Sequence, residues 1–301
     1  MTRLAGSRSR SDWALLLVLV GLWGTAFLFI KLTLESLPPM TLVASRVLIA
    51  ACVLTVAVRL RGLRLPTSMR VWSVYLLMGI VGNALPFTLI SWGQIRVDSG
   101  ITGILMGVMP LVTLLLAHRF VPGERMTPRS ALGFTVGFVG LVVLSGPEAL
   151  LEIDSEASQL VPQAAILGGA VCYAVNTIIA RRLATLDALV SSATVMWAAT
   201  AIMLPIACLN DQPWTLTPSA LAIGSAVWLG LGATAWATIV YFVLVQRAGP
   251  TFLSLMNYMI PVVALLAGVL VLDESLAGTA LIGLALILAG LAISQLQART
   301  E

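Results

Sequence analysis

The chain has little charge. Asp, Glu, Lys and Arg make up 10% of its 301 residues, whereas they make up about a quarter of an ordinary soluble domain. Hydrophobic residues make up 59%, and the mean hydropathy is +1.02. This composition excludes a soluble domain and indicates an integral membrane protein. Cysteine is also scarce, and Cys52, Cys172 and Cys208 all lie in apolar segments, where we expect them to act as small hydrophobic residues rather than as a redox centre.

Motifs of catalysis and nucleotide hydrolysis are missing as well. The sequence contains no HExxH motif and no pair of aspartates in the middle of a predicted span, and its one histidine, His118, lies at a helix end. It also has no P-loop, which excludes a nucleotide-driven pump. We therefore expect no enzyme, no catalytic residue, no metal, no cofactor and no nucleic-acid partner.

Apolar segments are long and numerous. A bilayer core about 30 Å thick requires roughly 20 apolar residues per helix. Ten segments meet this requirement and are called spans 1 to 10: residues 13–32, 40–58, 71–93, 99–118, 129–146, 161–180, 188–208, 219–245, 251–271 and 277–296. A signal peptide is not expected at span 1, because the apolar run is long and lacks a small-residue cleavage site. The predicted fold class is an all-α polytopic membrane protein with ten transmembrane helices.

The two halves of the chain resemble each other at a shift of about 150 residues. Matched pairs include Gly133 with Gly283, Gly140 with Gly290, Glu124 with Glu274 and Pro110 with Pro261. We predict a first five-span repeat at 1–146, an external linker at 147–160 and a second five-span repeat at 161–301. Because five is an odd number of spans, the second repeat is expected to be inverted, an architecture common among transporters.

Basic residues indicate the orientation. If the amino terminus is cytoplasmic, fourteen of the seventeen basic residues lie on the cytoplasmic side, as the positive-inside rule demands. Lys31 and Arg96 lie outside, and Arg46 lies within span 2. We therefore expect both termini to be cytoplasmic. Arg46 is expected to extend toward the outer headgroups or to pair near Glu35, and binding of a substrate carboxylate is the alternative.

Polar and aromatic side chains inside spans are the candidates for a binding site, because such groups usually face a partner or a water-filled cavity. Tyr173 and Asn176 share one helix face, and Asn257 and Tyr258 lie just before Pro261. The candidate substrate-binding residues are Trp23, Asn83, Gln94, Met106, Tyr173, Asn176, Thr234, Trp236, Tyr241, Asn257 and Tyr258. The alternative is that hydroxyls bond their own helix, amides join helices and aromatic rings face lipid.

The matched prolines are candidates for a hinge or kink. Pro110 and Pro261 each remove a backbone donor near the middle of a span. No acidic residue lies in the middle third of any span. Such a lining suits a neutral or zwitterionic solute with a part that stacks on aromatic rings, of which amino acids are the natural example. Nucleotide sugars fit less well, because phosphates usually require Arg or Lys clamps.

The repeated motifs also resemble a known family. They run from Gln94, Ser99, Gly103, Pro110, Gly123, Glu124 and Gly133 to Gly140, and again from Gln246, Gly249, Pro261, Glu274 and Gly283 to Gly290, with Trp-Gly-Thr at 23–25. Together with ten spans, this pattern resembles the EamA family of the drug/metabolite transporter superfamily over essentially the whole chain. Among its members, the chain is most similar to bacterial exporters of amino acids and related metabolites, including the YddG-type aromatic amino acid exporter.

The resemblance implies a central cavity lined mainly by spans 1, 3, 4, 6, 8 and 9. It also implies a multi-pass protein of the cell inner membrane, monomeric or homodimeric, that exports small metabolites, amino acids foremost, by alternating access around a midplane cavity. Its expected partners are a small-molecule substrate and the lipid bilayer. A nucleotide-sugar carrier, a lipid flippase and a non-transporting scaffold remain open as alternatives.

Overall fold

The computed structural model describes residues 9–120, 127–145, 159–183, 186–248, 250–253, 255–275 and 277–295. Within these ranges the regular secondary structure is helical. Glu124 and most of the predicted linker at 147–160 lie outside the described residues.

Most spans of the first half are built from more than one helix. The elements in chain order are α1 (Arg10–Gly24) and α2 (Ala26–Leu34) in span 1, α3 (Pro39–Leu60) in span 2, α4 (Met69–Gly79) and α5 (Leu85–Gly93) in span 3, α6 (Ser99–Met106) and α7 (Met109–Phe120) in span 4, and α8 (Pro128–Ser145) in span 5.

The second half continues with single helices in spans 6, 7 and 10. The elements are α9 (Leu160–Leu183) in span 6, α10 (Ala188–Asn210) in span 7, α11 (Ala220–Trp228) and α12 (Ala237–Ala248) in span 8, α13 (Pro250–Leu253) and α14 (Met256–Leu272) in span 9, and α15 (Gly278–Gln295) in span 10.

Seven helical stretches of the described chain are long and apolar enough to cross a membrane. They are Arg10–Leu34, Pro39–Leu60, Met69–Gly93, Ser99–Phe120, Leu160–Ala180, Ala188–Asn210 and Ala220–Leu244. The apolar helices of spans 5, 9 and 10 are shorter. The protein is therefore a multi-pass membrane protein.

Local caps define where several helices begin. The Ser9 hydroxyl accepts from the backbone N–H of Asp12 at 3.2 Å, while the Asp12 carboxylate accepts from the backbone N–H of Ser9 at 3.2 Å. Such a reciprocal capping box satisfies two backbone donors at a helix start. At α8, the Thr127 hydroxyl accepts from the backbone N–H of Ser130 at 3.2 Å and Pro128 is the first helical residue. Thr127 is thus the N-cap of α8, with proline at the first helical position.

The two halves pack on each other in a matched pattern. Equivalent spans contact one another: α3 packs on α10, α6 on α14 and α8 on α15. Non-equivalent contacts also occur in matching pairs, because α5 packs on α9 while α2 packs on α11. Spans 3 and 6 therefore relate to each other as spans 8 and 1 do, which is the arrangement expected when two similar halves meet about a two-fold axis.

The contact between α8 and α15 depends on glycine. A Cβ atom on Gly133 would lie 2.5 Å from the backbone oxygen of Gly290, and one on Gly140 would lie 2.9 Å from that of Gly283. These glycines therefore let the two helices pack through their backbones. The glycines of α8 contact the glycines of α15 within one chain.

Several spans lose regular α-helical hydrogen bonding partway through. Span 1 is interrupted at Thr25, whose hydroxyl donates to the backbone oxygen of Gly21 at 2.6 Å. Spans 3 and 8 each contain a π-helical turn, at Ile80–Ala84 and Leu229–Trp236. Span 4 is interrupted at 107–108, directly before the α7 turn that holds Pro110. Pro261 instead lies inside α14, which runs without a break from Met256.

Candidate functional site

Polar and aromatic side chains from five spans meet in the interior of the bundle. We call this group the central cluster. Its members are Trp23, Arg46, Phe87, Tyr173, Thr234 and Tyr241. The cluster draws on spans 1, 2, 3, 6 and 8, whereas the resemblance implied a cavity lined mainly by spans 1, 3, 4, 6, 8 and 9.

Arg46 forms the middle of the central cluster. Its side chain is buried, with 6% of the residue exposed. The Nε atom donates to the Thr234 hydroxyl oxygen at 2.7 Å, and the guanidinium carbon lies 4.0 Å from the centre of the Phe87 ring. The prediction that Arg46 extends to the headgroups or pairs near Glu35 is wrong, because its guanidinium instead turns inward onto spans 3 and 8.

The π-helical turn of span 8 positions Thr234 for this contact. The Thr234 hydroxyl donates to the backbone oxygen of Leu229, five residues earlier, at 2.8 Å. With its proton used in this way, the oxygen presents its lone pairs to Arg46. In a π-helical turn, some backbone oxygens do not receive the hydrogen bond that a regular α-helix would give them. Such turns occur frequently at functional sites.

Aromatic contacts extend the cluster to spans 1 and 6. The indole N–H of Trp23 donates to the backbone oxygen of Ala233 at 3.1 Å, and its ring lies 5.7 Å from that of Tyr241. Phe87 meets Tyr173 edge-on, with ring centroids 6.3 Å apart. Trp23, Tyr173, Thr234 and Tyr241 were candidates from the sequence, whereas Arg46 and Phe87 were not in that candidate set.

Two candidate asparagines lie at the interface of spans 3 and 6, one turn from the aromatic pair. Asn83 is 8% exposed within the first π-helical turn. Asn176 packs against Gly82, where an added Cβ atom would lie 2.5 Å from the Asn176 amide nitrogen. The Oδ1 atom of Asn176 is buried and accepts no hydrogen bond from the described residues. An acceptor of this kind suits a donor supplied by a solute.

The remaining candidates lie elsewhere. Met106 packs where the two largest hydrophobic clusters of the described chain meet. Asn257 and Tyr258 are half-buried at the start of α14, which packs on α1 and α6. Trp236 is 60% exposed, in contrast to the half-buried Trp23.

Gln94 lies at one end of the bundle, which we call the Lys31 end. Its side chain is fully buried, and its Nε2 atom donates to the backbone oxygen of Phe27 at 3.0 Å. The Lys31 ammonium donates to the backbone oxygens of Gln94 at 3.0 Å and Val97 at 3.2 Å. These bonds hold span 1 against the end of span 3.

Glu274, from the second half of the chain, binds the first half at the Lys31 end. Its two carboxylate oxygens accept from the backbone N–H groups of Ser99 at 2.7 Å and Gly100 at 2.9 Å. A carboxylate stabilises a helix start, because it satisfies free N–H groups and opposes the helix dipole. Glu274 is therefore a cap on α6 of the other half.

A cavity of about 510 Å³ opens at the Lys31 end. It is lined by Lys31, Leu34, Glu35, Gln94, Ile95, Asp98, Leu272, Asp273 and Glu274. Four acids and one lysine make this lining acidic. Partial burial raises the pKa of Asp98 above its ordinary value of 3.8, repulsion by Glu274 raises it further, and Lys31 opposes both effects.

Several known proteins similar to this chain are named as transporters or exporters. The chain is 30% identical to a probable terminal-alkyne amino-acid exporter of Streptantibioticus cattleyicolor, over 94% of this chain and 92% of that protein. It is 25% identical to the uncharacterised inner membrane transporter YedA of Escherichia coli, over 82% of this chain and 78% of that protein. A solved crystal structure superposes with a TM-score of 0.69 at 25% identity, covering 97% of this chain and all of that one.

A family model matches both halves of the chain. The model of the EamA-like transporter family matches residues 12–146 and again residues 162–295. The two matches together span nearly the whole sequence and coincide with the two sets of helices that pack in a matched pattern. This chain therefore belongs to the EamA-like transporter family.

Proposed function

We propose that this protein exports small metabolites, amino acids foremost, across the cell inner membrane by alternating access. The observation that carries the proposal is the central cluster, a set of buried polar groups reached from spans 1, 2, 3, 6 and 8. Spans 1, 3 and 8 are also spans whose helices are interrupted. Interrupted helices around a buried polar site are typical of alternating-access transporters.

The amino acid assignment draws support from a relative and from the chemistry of the cluster. The similar protein of Streptantibioticus cattleyicolor is named a probable terminal-alkyne amino-acid exporter. The central cluster combines one cation with several aromatic rings, and the unpartnered amide oxygen of Asn176 lies one helical turn from Tyr173. Those groups match a carboxylate, an ammonium group and a nonpolar side chain.

We further propose ten spans in two inverted repeats, with both termini cytoplasmic and the Lys31 end facing outward. In this arrangement the bonds of Lys31 and Glu274 close the outer side, and rearrangement about the interrupted spans opens it. Pro110, beside the interruption of span 4, is the proposed hinge residue of the first half, and Pro261 is its counterpart. No catalytic step is proposed for the cycle.

Counterflow in proteoliposomes tests the function. Vesicles holding the purified protein and unlabelled L-methionine, L-phenylalanine or L-propargylglycine are diluted into the labelled form of the same compound. We expect accumulation of label for at least one of them above protein-free vesicles. Failure of every amino acid, together with counterflow of a nucleotide sugar or lipid, would replace the substrate class. Absence of any flux would favour a scaffold.

A matched pair of variants links the flux to the site. Asn176→Leu removes the unpartnered acceptor, whereas Asn210→Leu makes the same change at the exposed end of α10. Because a hydrogen bond to a charged group contributes about 1.5–3 kcal/mol, we expect Asn176→Leu to weaken apparent affinity at least tenfold. Asn210→Leu is expected to retain wild-type counterflow. Equal flux in both variants would remove Asn176 from the site.

A further inference from the structure

The guanidinium of Arg46 is a buried cation whose terminal nitrogens donate no hydrogen bond to the described residues. Only 6% of the residue is exposed, and among the described residues no acidic side chain forms an ion pair with it. Its hydrogen bond within the described chain uses Nε alone. A charge buried in a membrane protein usually pairs or serves a substrate pathway, so an uncompensated one requires a partner.

The protein holds this cation in one orientation. Thr234 binds the Nε edge, and the Phe87 ring lies against the guanidinium face at 4.0 Å. Thr234 is itself anchored, because its hydroxyl donates to the backbone oxygen of Leu229. The Nε edge and one face of the guanidinium are therefore occupied. The free edge carries the Nη atoms, whose paired N–H groups match the two oxygens of a carboxylate.

A hydrogen-bond acceptor for the ammonium group of such a solute lies at the interface of spans 3 and 6. Phe87 contacts Tyr173 on span 6, and Asn176 lies one helical turn further along that helix. The buried Oδ1 atom of Asn176 accepts no hydrogen bond from the described residues. An ammonium group donates up to three hydrogen bonds and would satisfy this oxygen.

We infer that Arg46 is the carboxylate-binding residue of the transport site, holding the carboxylate of an α-amino acid on its Nη edge while Asn176 accepts from the ammonium group. The inference rests on the proposed function. One guanidinium balances one carboxylate, whereas the diphosphate of a nucleotide sugar carries several negative charges. The bound solute then supplies one carboxylate to the Arg46 guanidinium and one ammonium group to the Asn176 oxygen, as an α-amino acid does.

A comparison of acids with their amides tests the inference on the wild-type protein. Inhibition of counterflow is measured with L-methionine and L-phenylalanine against L-methioninamide and L-phenylalaninamide, which keep the ammonium group and side chain but lack the carboxylate charge. We expect the amides to inhibit at least about tenfold more weakly, since hydrogen bonds to charged groups are the strong ones. Equal inhibition by acid and amide overturns the inference.

Variants of Arg46 then connect the preference to this residue. Arg46→Gln is expected to abolish the preference for acid over amide, and Arg46→Lys to retain part of it, because lysine keeps the charge without the planar fork. Arg59→Gln is the control, since Arg59 lies on the same helix but is exposed at its end. An acid preference that survives in Arg46→Gln overturns the inference.

The outcomes separate the two proposals. If the wild-type protein moves no amino acid, the proposed function fails whatever Arg46 does. If the wild-type protein moves amino acids but does not distinguish acid from amide, only the role of Arg46 fails. Should Arg46→Gln not yield a monodisperse protein, the wild-type comparison and Arg46→Lys still decide.

Discussion

Glu274 and Arg46 are both charged residues within a mostly apolar protein, but their partners differ. Both carboxylate oxygens of Glu274 are occupied by backbone N–H groups of α6. Arg46 uses one nitrogen within the described chain and leaves its Nη edge free. A charge whose bonding capacity is filled by the protein stabilises the fold. A charge with unused capacity in the interior is available to a ligand.

Replacing Glu274 by glutamine is expected to destabilise the protein. Glutamine offers one acceptor oxygen to two N–H groups and no charge to oppose the dipole of α6. Loss of a helix cap typically costs about 0.5–2 kcal/mol in free energy of unfolding, and we expect Glu274→Gln to fall in that range. Thermal unfolding in detergent is the measurement, and a lower Tm is the expected result.

Asp273→Asn is the matched control for Glu274→Gln. The two acids are adjacent and line the same cavity, so both variants remove one charge from one place. Asp273 has a left-handed backbone with φ of 52°, a conformation that asparagine also adopts. Its variant is therefore expected to unfold near the wild-type Tm. Similar losses in both variants would assign the effect to charge at the Lys31 end rather than to the cap.

The helices α8 and α15 differ from the interrupted helices of spans 1, 3, 4 and 8. Each is a single apolar helix, and their backbones approach closely at Gly133, Gly140, Gly283 and Gly290. Small residues at such a contact let two membrane helices pack through their backbones. Neither α8 nor α15 supplies a residue of the central cluster.

A methyl group at Gly133 tests this contact. In Gly133→Ala the new Cβ would lie 2.5 Å from the backbone oxygen of Gly290 and 2.8 Å from the backbone nitrogen of Ser294, so α8 and α15 must separate. Overpacking costs about 1–3 kcal/mol in free energy of unfolding. We expect Gly133→Ala to lower the Tm measured by thermal unfolding in detergent.

The control for this change is Gly224→Ala. Apart from the backbone of its own helix, no atom of the described residues lies within 4 Å of a Cβ atom placed on Gly224, which is exposed within α11. Alanine in a helix is favoured over glycine by about 0.5–1 kcal/mol, so Gly224→Ala should leave the Tm unchanged or raise it. A Tm for Gly133→Ala as high as that for Gly224→Ala would show that the backbones do not need this contact.

At the scale of the whole molecule, contacts between connections place them at two ends of the bundle. Ser36 bonds Ser219, and Thr41 bonds the Asp211 carboxylate at 2.8 Å, which brings the starts of spans 2 and 8 to one end. Elsewhere, Arg247 pairs with Asp12 at 3.3 Å, which joins the end of span 8 to the start of span 1. This grouping agrees with the predicted ten-span arrangement, in which the connection between spans 1 and 2 and the connection between spans 7 and 8 lie outside, while Asp12 and Arg247 lie inside.

Reporter fusions test that arrangement. Alkaline phosphatase is active only outside the inner membrane, whereas green fluorescent protein fluoresces when it folds in the cytoplasm. We expect a carboxy-terminal fusion after Glu301 to give fluorescence and no phosphatase activity. Truncation at Gln212, in the connection between spans 7 and 8, followed by phosphatase should give an active enzyme. The opposite result at either position would contradict ten spans with cytoplasmic termini.

Span positions and several local features were predictable from the sequence. Span 2 was expected at 40–58 and its helix is Pro39–Leu60, while span 4 was expected at 99–118 and its helices cover Ser99–Phe120. The bilayer requires a minimum apolar length, so hydropathy alone locates such helices. The N-cap at Thr127 and the interruption beside Pro110 also follow from local chemistry. The π-helical turns were not predicted, because no residue type specifies a wider turn.

The candidate site was predictable only in part, and Arg46 shows why. Apolar length decides, without any tertiary contact, that the chain is a helical membrane protein, because bilayer thickness acts on each segment separately. The matched residues at a shift of about 150 decide that it has two similar halves. The direction of one side chain depends instead on what neighbouring helices offer it. Thr234 is far from Arg46 in sequence, and only the packing of span 8 on span 2 brings its hydroxyl to within 2.7 Å and turns the cation inward.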